Sequence, residues 1–237
     1  MASAWEELGP GTVRRRLPGW DETLGAVAGP DGVLLVDAGP SRSAGGEAAR
    51  ELAGLLGRPV TRVVITHPHF DHVLGLAALP DAEAYGGEGL AGFLAAGGRA
   101  EVGRDAERYG LESGSADAAA LPESWHEVPA GGTLDVDLGG GRRAVLIGLG
   151  AAHSGHDVAV LVPGPVPVMF CGDLVEESGQ PQAGPDAEPE RWPAALDRLL
   201  ELGGPGARYV PGHGAVVDAA FVRAQRAALA RRFGVAP

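Results

Sequence analysis

Six consecutive residues carry the densest chemistry in the chain: His67-Pro68-His69-Phe70-Asp71-His72. Three imidazoles and a carboxylate on so short a stretch make a ligand set for a divalent cation. Imidazole nitrogen and carboxylate oxygen both bind zinc-like ions at about 2.0–2.2 Å. His67 and His69 stand two apart, so at a strand end they point to one side, and Pro68 stiffens the link. Asp71 and His72 follow in the turn into a helix, aimed at a second position nearby. One segment can thereby feed two adjacent metals, but four neighbouring residues cannot fill two coordination shells. The missing ligands are expected at other strand ends. His153 follows an apolar run ending at Leu149, Asp173 follows Val168-Met169-Phe170, and His213 sits in Pro211-Gly212-His213-Gly214 after Tyr209-Val210. Each has glycine or another small residue nearby, which lets the backbone approach closely.

Two metals about 3.5–4 Å apart share a bridging hydroxide, because the pKa of the bound water falls to near neutrality. That supplies a nucleophile without a serine or cysteine. The expected reaction is hydrolysis of a small-molecule ester, thioester, lactone or amide. Asp71 is the candidate catalytic residue, since it can hold its metal and also orient the water.

The elements that must position these residues read as strands alternating with helices. Leu24 to Val27 and Val33 to Val36 pair around the turn Pro30-Asp31-Gly32. Ala44 to Leu56 is helical and closes at Gly57. Val60 to Ile65 is a buried strand leading into the histidines, and a short helix runs from about His72 to Leu79 before Pro80. Ala82 to Tyr85 reads as a strand and Gly89 to Ala96 as a weak helix. Residues 97–122 show no clear period, with Tyr109 and Leu111 isolated among charged and small residues, and read as a surface excursion or lid. Strands are expected at Thr133 to Leu138, Arg143 to Ile147, Val158 to Val162, Val166 to Phe170 and Arg208 to Val210. Helices are expected at Trp192 to Leu202 and Val217 to Arg232. Two packed sheets with helices outside fit this order better than one doubly wound sheet. The halves also rhyme, because Leu34-Leu35-Val36-Asp37 and Met169-Phe170-Cys171-Gly172-Asp173 both run an apolar strand into an aspartate.

Composition excludes several alternatives. The 237 residues suit one domain spanning 1–237, and 45% of them are apolar, enough for a core. There is no lysine, hence no Schiff base and no phosphate-loop lysine. A net charge of −12 opposes nucleic acid and anionic membranes as partners, leaving a small-molecule substrate. The single cysteine, Cys171, forms no internal disulfide and reads as an apolar filler, which suits a cytoplasmic location. No export signal is legible around Arg14-Arg15-Arg16, and no apolar run reaches the roughly 20 residues of a membrane span.

The segment His67 to His72 is similar to the HxHxDH signature of the metallo-β-lactamase superfamily. Asp37-Ala38-Gly39, Gly172-Asp173 and Pro211-Gly212-His213-Gly214 match further motifs in the same order. The resemblance implies a four-layer αββα sandwich (an α/β fold) with a dinuclear site at one edge. It implies that His67, His69 and His153 hold one metal, that Asp71, His72 and His213 hold the other, and that Asp173 bridges them. Two divalent ions are implied, zinc first, with iron or manganese as alternatives. At the third motif the chain has Ala152-His153-Ser154-Gly155-His156-Asp157, so His156 rivals His153. The resemblance also admits a persulfide dioxygenase-like enzyme with one iron held by two His and one Asp. A metal-stabilised binding domain without catalysis is the third reading. Asp37 is expected to orient a ligand or to serve the turn. His126 reads as a surface or lid residue, Arg14 to Arg16 as exposed strand charges, and Glu176-Glu177 with the following acidic loop as a solvated face.

Overall fold

The computed structural model describes residues 5–111 and 121–235. Its first sheet has seven strands in the order of the chain: β1 (Glu6–Gly9), β2 (Thr12–Arg16), β3 (Thr23–Gly29), β4 (Gly32–Val36), β5 (Val60–Val64), β6 (Glu83–Gly87) and β7 (Trp125–Val128). β1 to β4 pair antiparallel, and β4 to β7 pair parallel. The parallel steps are crossed by α1 (Arg42–Leu56), by the short α2 (Phe70–Val73) with a 3₁₀ turn at Leu74–Ala78, and by α3 (Leu90–Phe93), a π turn and α4 (Arg99–Arg108). The second sheet runs β12-β11-β10-β9-β8, from β8 (Thr133–Asp137), β9 (Arg143–Gly150), β10 (Asp157–Val162), β11 (Val168–Phe170) and β12 (Arg208–Val210). Only its β11–β12 pair is parallel. Helices α5 (Trp192–Gly203) and α6 (Ala219–Phe233) follow β11 and β12.

Three apolar clusters cement four layers. Leu24, Leu35, Val63 and Ile65 face Ala48 and Leu52 of α1 on the outer side of the first sheet. Val27, Leu34, Val36 and Val64 meet Leu146, Val160 and Phe170 between the sheets. Ile147, Met169 and Tyr209 meet Trp192, Leu196, Leu199 and Val222 on the outer side of the second. Strands buried on both faces therefore read as continuous apolar runs. This is the αββα sandwich that the motifs imply.

Helix α1 begins where the Ser41 Oγ accepts from the Ala44 amide at 3.2 Å, and stops at Gly57 in the left-handed region. It lies so close to the turn after His72 that a Cβ on Gly45 would fall 2.3 Å from the Gly75 carbonyl, and a Cβ on Gly75 would in turn fall 1.9 Å from the Ala38 carbonyl, just past β4. That approach locks the end of β4 against the histidine segment, and the Ala38 amide donates to the His72 carbonyl at 2.8 Å.

Several elements differ from the sequence reading. β1 went unread because Glu6 and Glu7 obscure the alternation, and β2 was legible only as the strand that carries Arg14 to Arg16. Arg14 is in fact buried, with Nη1 donating to the Gly214 carbonyl at 3.0 Å, so the run is not a row of exposed charges. β7 is an edge strand in which only Val128 is buried, too weak a pattern to see. His126 lies in that strand, exposed and stacked on Tyr85 at 5.0 Å, so it is the surface residue expected and not part of a lid. The first part of the 97–122 excursion forms α4, whose charged sequence exposes all but a narrow face; residues 112–120 lie outside the described part. The helix after the histidines starts at Phe70, not His72, and continues as 3₁₀.

Candidate metal centre

All seven candidate ligands converge at one edge of the sandwich, where the ends of β5, β9, β11 and β12 meet. The ligand atoms of His67, His69, His153 and Asp173 lie within 4.8 Å of one another, and those of Asp71, His72 and His213 form a second group by the same measure. Asp173 stands between them. Its Oδ2 is 3.6 Å from His67 Nε2, 3.6 Å from His153 Nε2 and 3.3 Å from His213 Nε2, and its Oδ1 is 3.2 Å from His72 Nε2. His69 Nδ1 faces His153 Nε2 at 3.0 Å, and His72 Nε2 faces His213 Nε2 at 3.5 Å. Asp71 Oδ2 is 3.2 Å from His213 Nε2. Gly212 makes room for this: a Cβ there would lie 1.8 Å from Asp173 Oδ1.

The outward ring nitrogens show why the inward ones are free. Asp37 accepts from the Thr66 amide and the Thr66 hydroxyl, both at 2.8 Å, and its Oδ2 lies 2.9 Å from His72 Nδ1. The Thr66 hydroxyl oxygen in turn lies 2.9 Å from His67 Nδ1. This network assigns the first proton of both histidines to Nδ1, so Nε2 is the atom of each that a cation would take, displacing any second proton held there. His213 Nδ1 donates to the Trp20 carbonyl at 2.7 Å, and His69 Nε2 meets Asp186 Oδ2 at 3.1 Å. His153 is placed through its backbone: buried Asp157 accepts from the amides of Ala152, His153 and Ser154. His156 points elsewhere, its Nδ1 donating to the Glu88 carbonyl at 2.8 Å, and belongs to neither group.

Electrostatics give the same reading. Burial holds His153 down at about 4 and His67 well below the usual imidazole range, so both are neutral, the form that binds metal. Burial also opposes charge on His72 and His213. There the carboxylates win: Asp173, Asp71 and Asp37 raise His72 well above its ordinary value, and Asp173 with Asp71 lifts His213 to about 11. Burial would neutralise Asp173, yet His72, His67 and His213 hold it well below the carboxylate range. The carboxylates thus demand positive charge that only protons supply here. His67 Nε2 and Asp173 Oδ1 are buried with no hydrogen-bond partner among the described residues. A hard or borderline divalent cation fits both facts, because it would satisfy the orphaned atoms and displace the protons.

Sequence reasoning missed three acids. Asp186 and Glu176 fall in the loop read as a solvated face. However, Asp186 holds His69, and Glu176 is buried with its backbone beside His213. Glu22, also bridged to His213, is buried with neither carboxylate oxygen partnered. Burial pushes Glu22 and Glu176 both up to about 7. No local motif marks them, since each is defined by what the other sheet brings to it. Cys171 is buried and its thiol donates to the Met169 carbonyl, away from the ligand groups. Among the described residues, no helix is long and apolar enough to cross a membrane.

Solved structures share this architecture. The chain superposes on a metallo-β-lactamase from Hirschia baltica with a TM-score of 0.68 at 17% identity, covering 95% of this chain and 96% of that one. For the mono-zinc form of FIM-1 from Pseudomonas aeruginosa the values are 0.70, 18%, 98% and 96%. For a metallo-β-lactamase from Pontibacter korlensis they are 0.69, 19%, 95% and 97%. At such identities the likeness concerns the fold. A family model of the metallo-β-lactamase superfamily matches residues 22–213, from the buried glutamate just before β3 to the last histidine of the cage. Fold, ligand convergence and that match together place the chain in the metallo-β-lactamase superfamily, which supports a metal-dependent hydrolase.

Proposed function

We propose that the chain is a dinuclear hydrolase, zinc-dependent in the first instance, that cleaves an ester, thioester, lactone or amide of a small molecule. The observation that carries this is Asp173, whose two oxygens face ligand nitrogens of both groups at 3.2–3.6 Å. His67, His69 and His153 would hold one ion, and Asp71, His72 and His213 the other, with Asp173 between them. When bound, two such ions supply an acidified water as nucleophile and positive charge for the developing oxyanion. A one-iron reading would leave the complete group Asp71, His72 and His213 without a role.

The protein's own contribution is orientation and charge. Asp37 and Thr66 fix the tautomers of His72 and His67, so one ligand in each group is preorganised by the same carboxylate. Asp71 is held below its ordinary value against the effect of burial by His72 and His213, so it stays ionised. As a carboxylate it would accept a hydrogen from the acidified water and orient it, and would not serve as a proton donor at neutral pH. The net charge of −12 disfavours polyanionic substrates, which supports a small-molecule substrate in place of nucleic acid. The lone buried thiol accords with a cytoplasmic setting.

The test is reconstitution of metal-stripped protein with zinc, manganese or iron(II), followed by a panel of esters, thioesters, lactones and amides. The proposal expects metal-dependent hydrolysis of at least one class, abolished in Asp71→Ala. Oxygen-dependent turnover with a single iron would replace it with the dioxygenase reading, and inactivity across the panel with full metal loading would favour a binding domain.

A further inference from the structure

Tyr109, isolated in sequence, is not isolated in space. Its ring stacks on Phe70 at 5.3 Å and 22°, and Trp20 sits edge-on to both, at 5.1 Å from Tyr109 and 5.5 Å from Phe70. The three come from separate places: the β2–β3 loop, the residue between His69 and Asp71, and the C-terminal end of α4. Two are tied to the cage. Phe70 is flanked in sequence by two of the candidate ligands, and the Trp20 carbonyl accepts from His213 Nδ1.

A cluster that served only to anchor α4 would hide its rings, as Leu90 and Leu94 of the preceding turns are hidden. Here Trp20 stays 36% exposed and Tyr109 59% exposed, and both rank among the large apolar side chains left open to water. The Tyr109 hydroxyl has no hydrogen-bond partner among the described residues, so no polar contact explains the pose. Exposed aromatic surface beside a reactive centre is where a ligand gains most from burial.

We propose that Trp20, Phe70 and Tyr109 form an aromatic wall that receives a planar or aromatic group of the substrate, on the acyl or the leaving side of the scissile bond. This rests on the hydrolase reading and specifies its substrate class. Flat apolar groups are selected over short alkyl groups of the same ester. Tyr109 is the adjustable part, because α4 alone carries it.

The experiment compares metal-loaded wild type, Tyr109→Ala and Trp20→Ala on three esters: methyl acetate, methyl phenylacetate and benzyl acetate. Metal content and circular dichroism establish that each variant is folded and loaded. The proposal expects wild type to favour at least one aromatic ester by kcat/KM. It expects that preference to shrink about fivefold in each variant, the size of one aromatic contact. As a readout independent of turnover, phenylacetate but not acetate should alter intrinsic fluorescence saturably. Trp20→Phe should lose most of that signal, and Tyr109→Ala should weaken the affinity. If no ester turns over but phenylacetate binds in a Tyr109-dependent way, the wall stands and ester hydrolysis is set aside, while the thioesters, lactones and amides of the wider panel decide the hydrolase reading. If esters turn over with no aromatic preference, or with a preference that both variants keep, the wall falls and the hydrolase stands. A concentration-dependent dimer dissolved by Tyr109→Ala would overturn the wall as well, since the rings would then serve a second copy.

Discussion

Asp37→Asn puts the ligand orientation to a quantitative test. The amide is nearly isosteric, so its oxygen can keep the 2.8 Å bond from the Thr66 amide. Its NH₂ then sits where Oδ2 accepts from the Thr66 hydroxyl and faces His72 Nδ1 at 2.9 Å. An NH₂ cannot accept from Nδ1–H, so the His72 proton moves to Nε2, the atom that must bind metal. The Thr66 hydroxyl loses its acceptor too, which releases the constraint it transmits to His67. Partners of this kind change metal affinity by about 10–100-fold, or roughly 1.4–2.8 kcal/mol. Because one residue here serves a ligand in each group, the upper end is expected, with both sites weakened. Asp37→Ala would be less informative, since it strands three buried polar groups at about 1–3 kcal/mol each and threatens a fold worth only about 5–15 kcal/mol. The assay is competition with a chromophoric chelator, alongside thermal melting of the metal-free protein. An affinity within twofold of wild type at both sites would refute the tautomer argument.

Asp186→Asn should weaken metal at the His67 group by about tenfold while leaving the His213 group intact, because the carboxylate touches only His69 and is itself exposed; sequential chelator titration separates the two. Glu22→Gln should stabilise the metal-free protein at high pH. The folded pKa of Glu22 is about 7 against an unfolded value near 4.5, so between these values the folded state keeps a proton that the unfolded state has released. Stability contributed by that proton is present below about pH 4.5 and is lost as pH rises to 7. The variant should therefore gain up to about 3 kcal/mol over wild type at pH 8 and nothing at pH 4; denaturant curves at the two pH values that run parallel would contradict it. His153→Ala should lose metal from the first group, whereas His156→Ala should keep nearly all of it; equal losses by elemental analysis would reverse the assignment.

The ligand set was legible because its members follow apolar strands, buried at Val63-Val64 of β5 and along the whole of β11. Val60–Val64 leads to His67, and Val168–Phe170 to Asp173, where sheet packing fixes direction as well as burial. Asp37 was legible as a candidate orienting residue for the same reason, although its hold on two histidines at once appears only when β4 lies beside β5. What sequence could not show depends on partners distant in the chain. Glu176 looks like one more surface acid until Gln225 of α6 accepts its backbone amide and buries it. Asp186 needs the long loop before α5 to fold back over His69. The pairing of β1 with β2 was hidden by their charges, and α4 by a sequence whose helical face carries only Val102, Gly103 and Ala106 inward. Tyr109 was visible as an aromatic in a polar stretch, but only the meeting of α4 with α2 gives it a neighbour.

The central claim is that five histidines and two aspartates form two adjacent cation sites. Anomalous diffraction from zinc-loaded crystals tests it most directly. The account predicts two peaks per chain, one among His67, His69 and His153 and one among Asp71, His72 and His213, with Asp173 touching both. A single peak at full zinc loading, or peaks ligated by residues outside these seven, would contradict it.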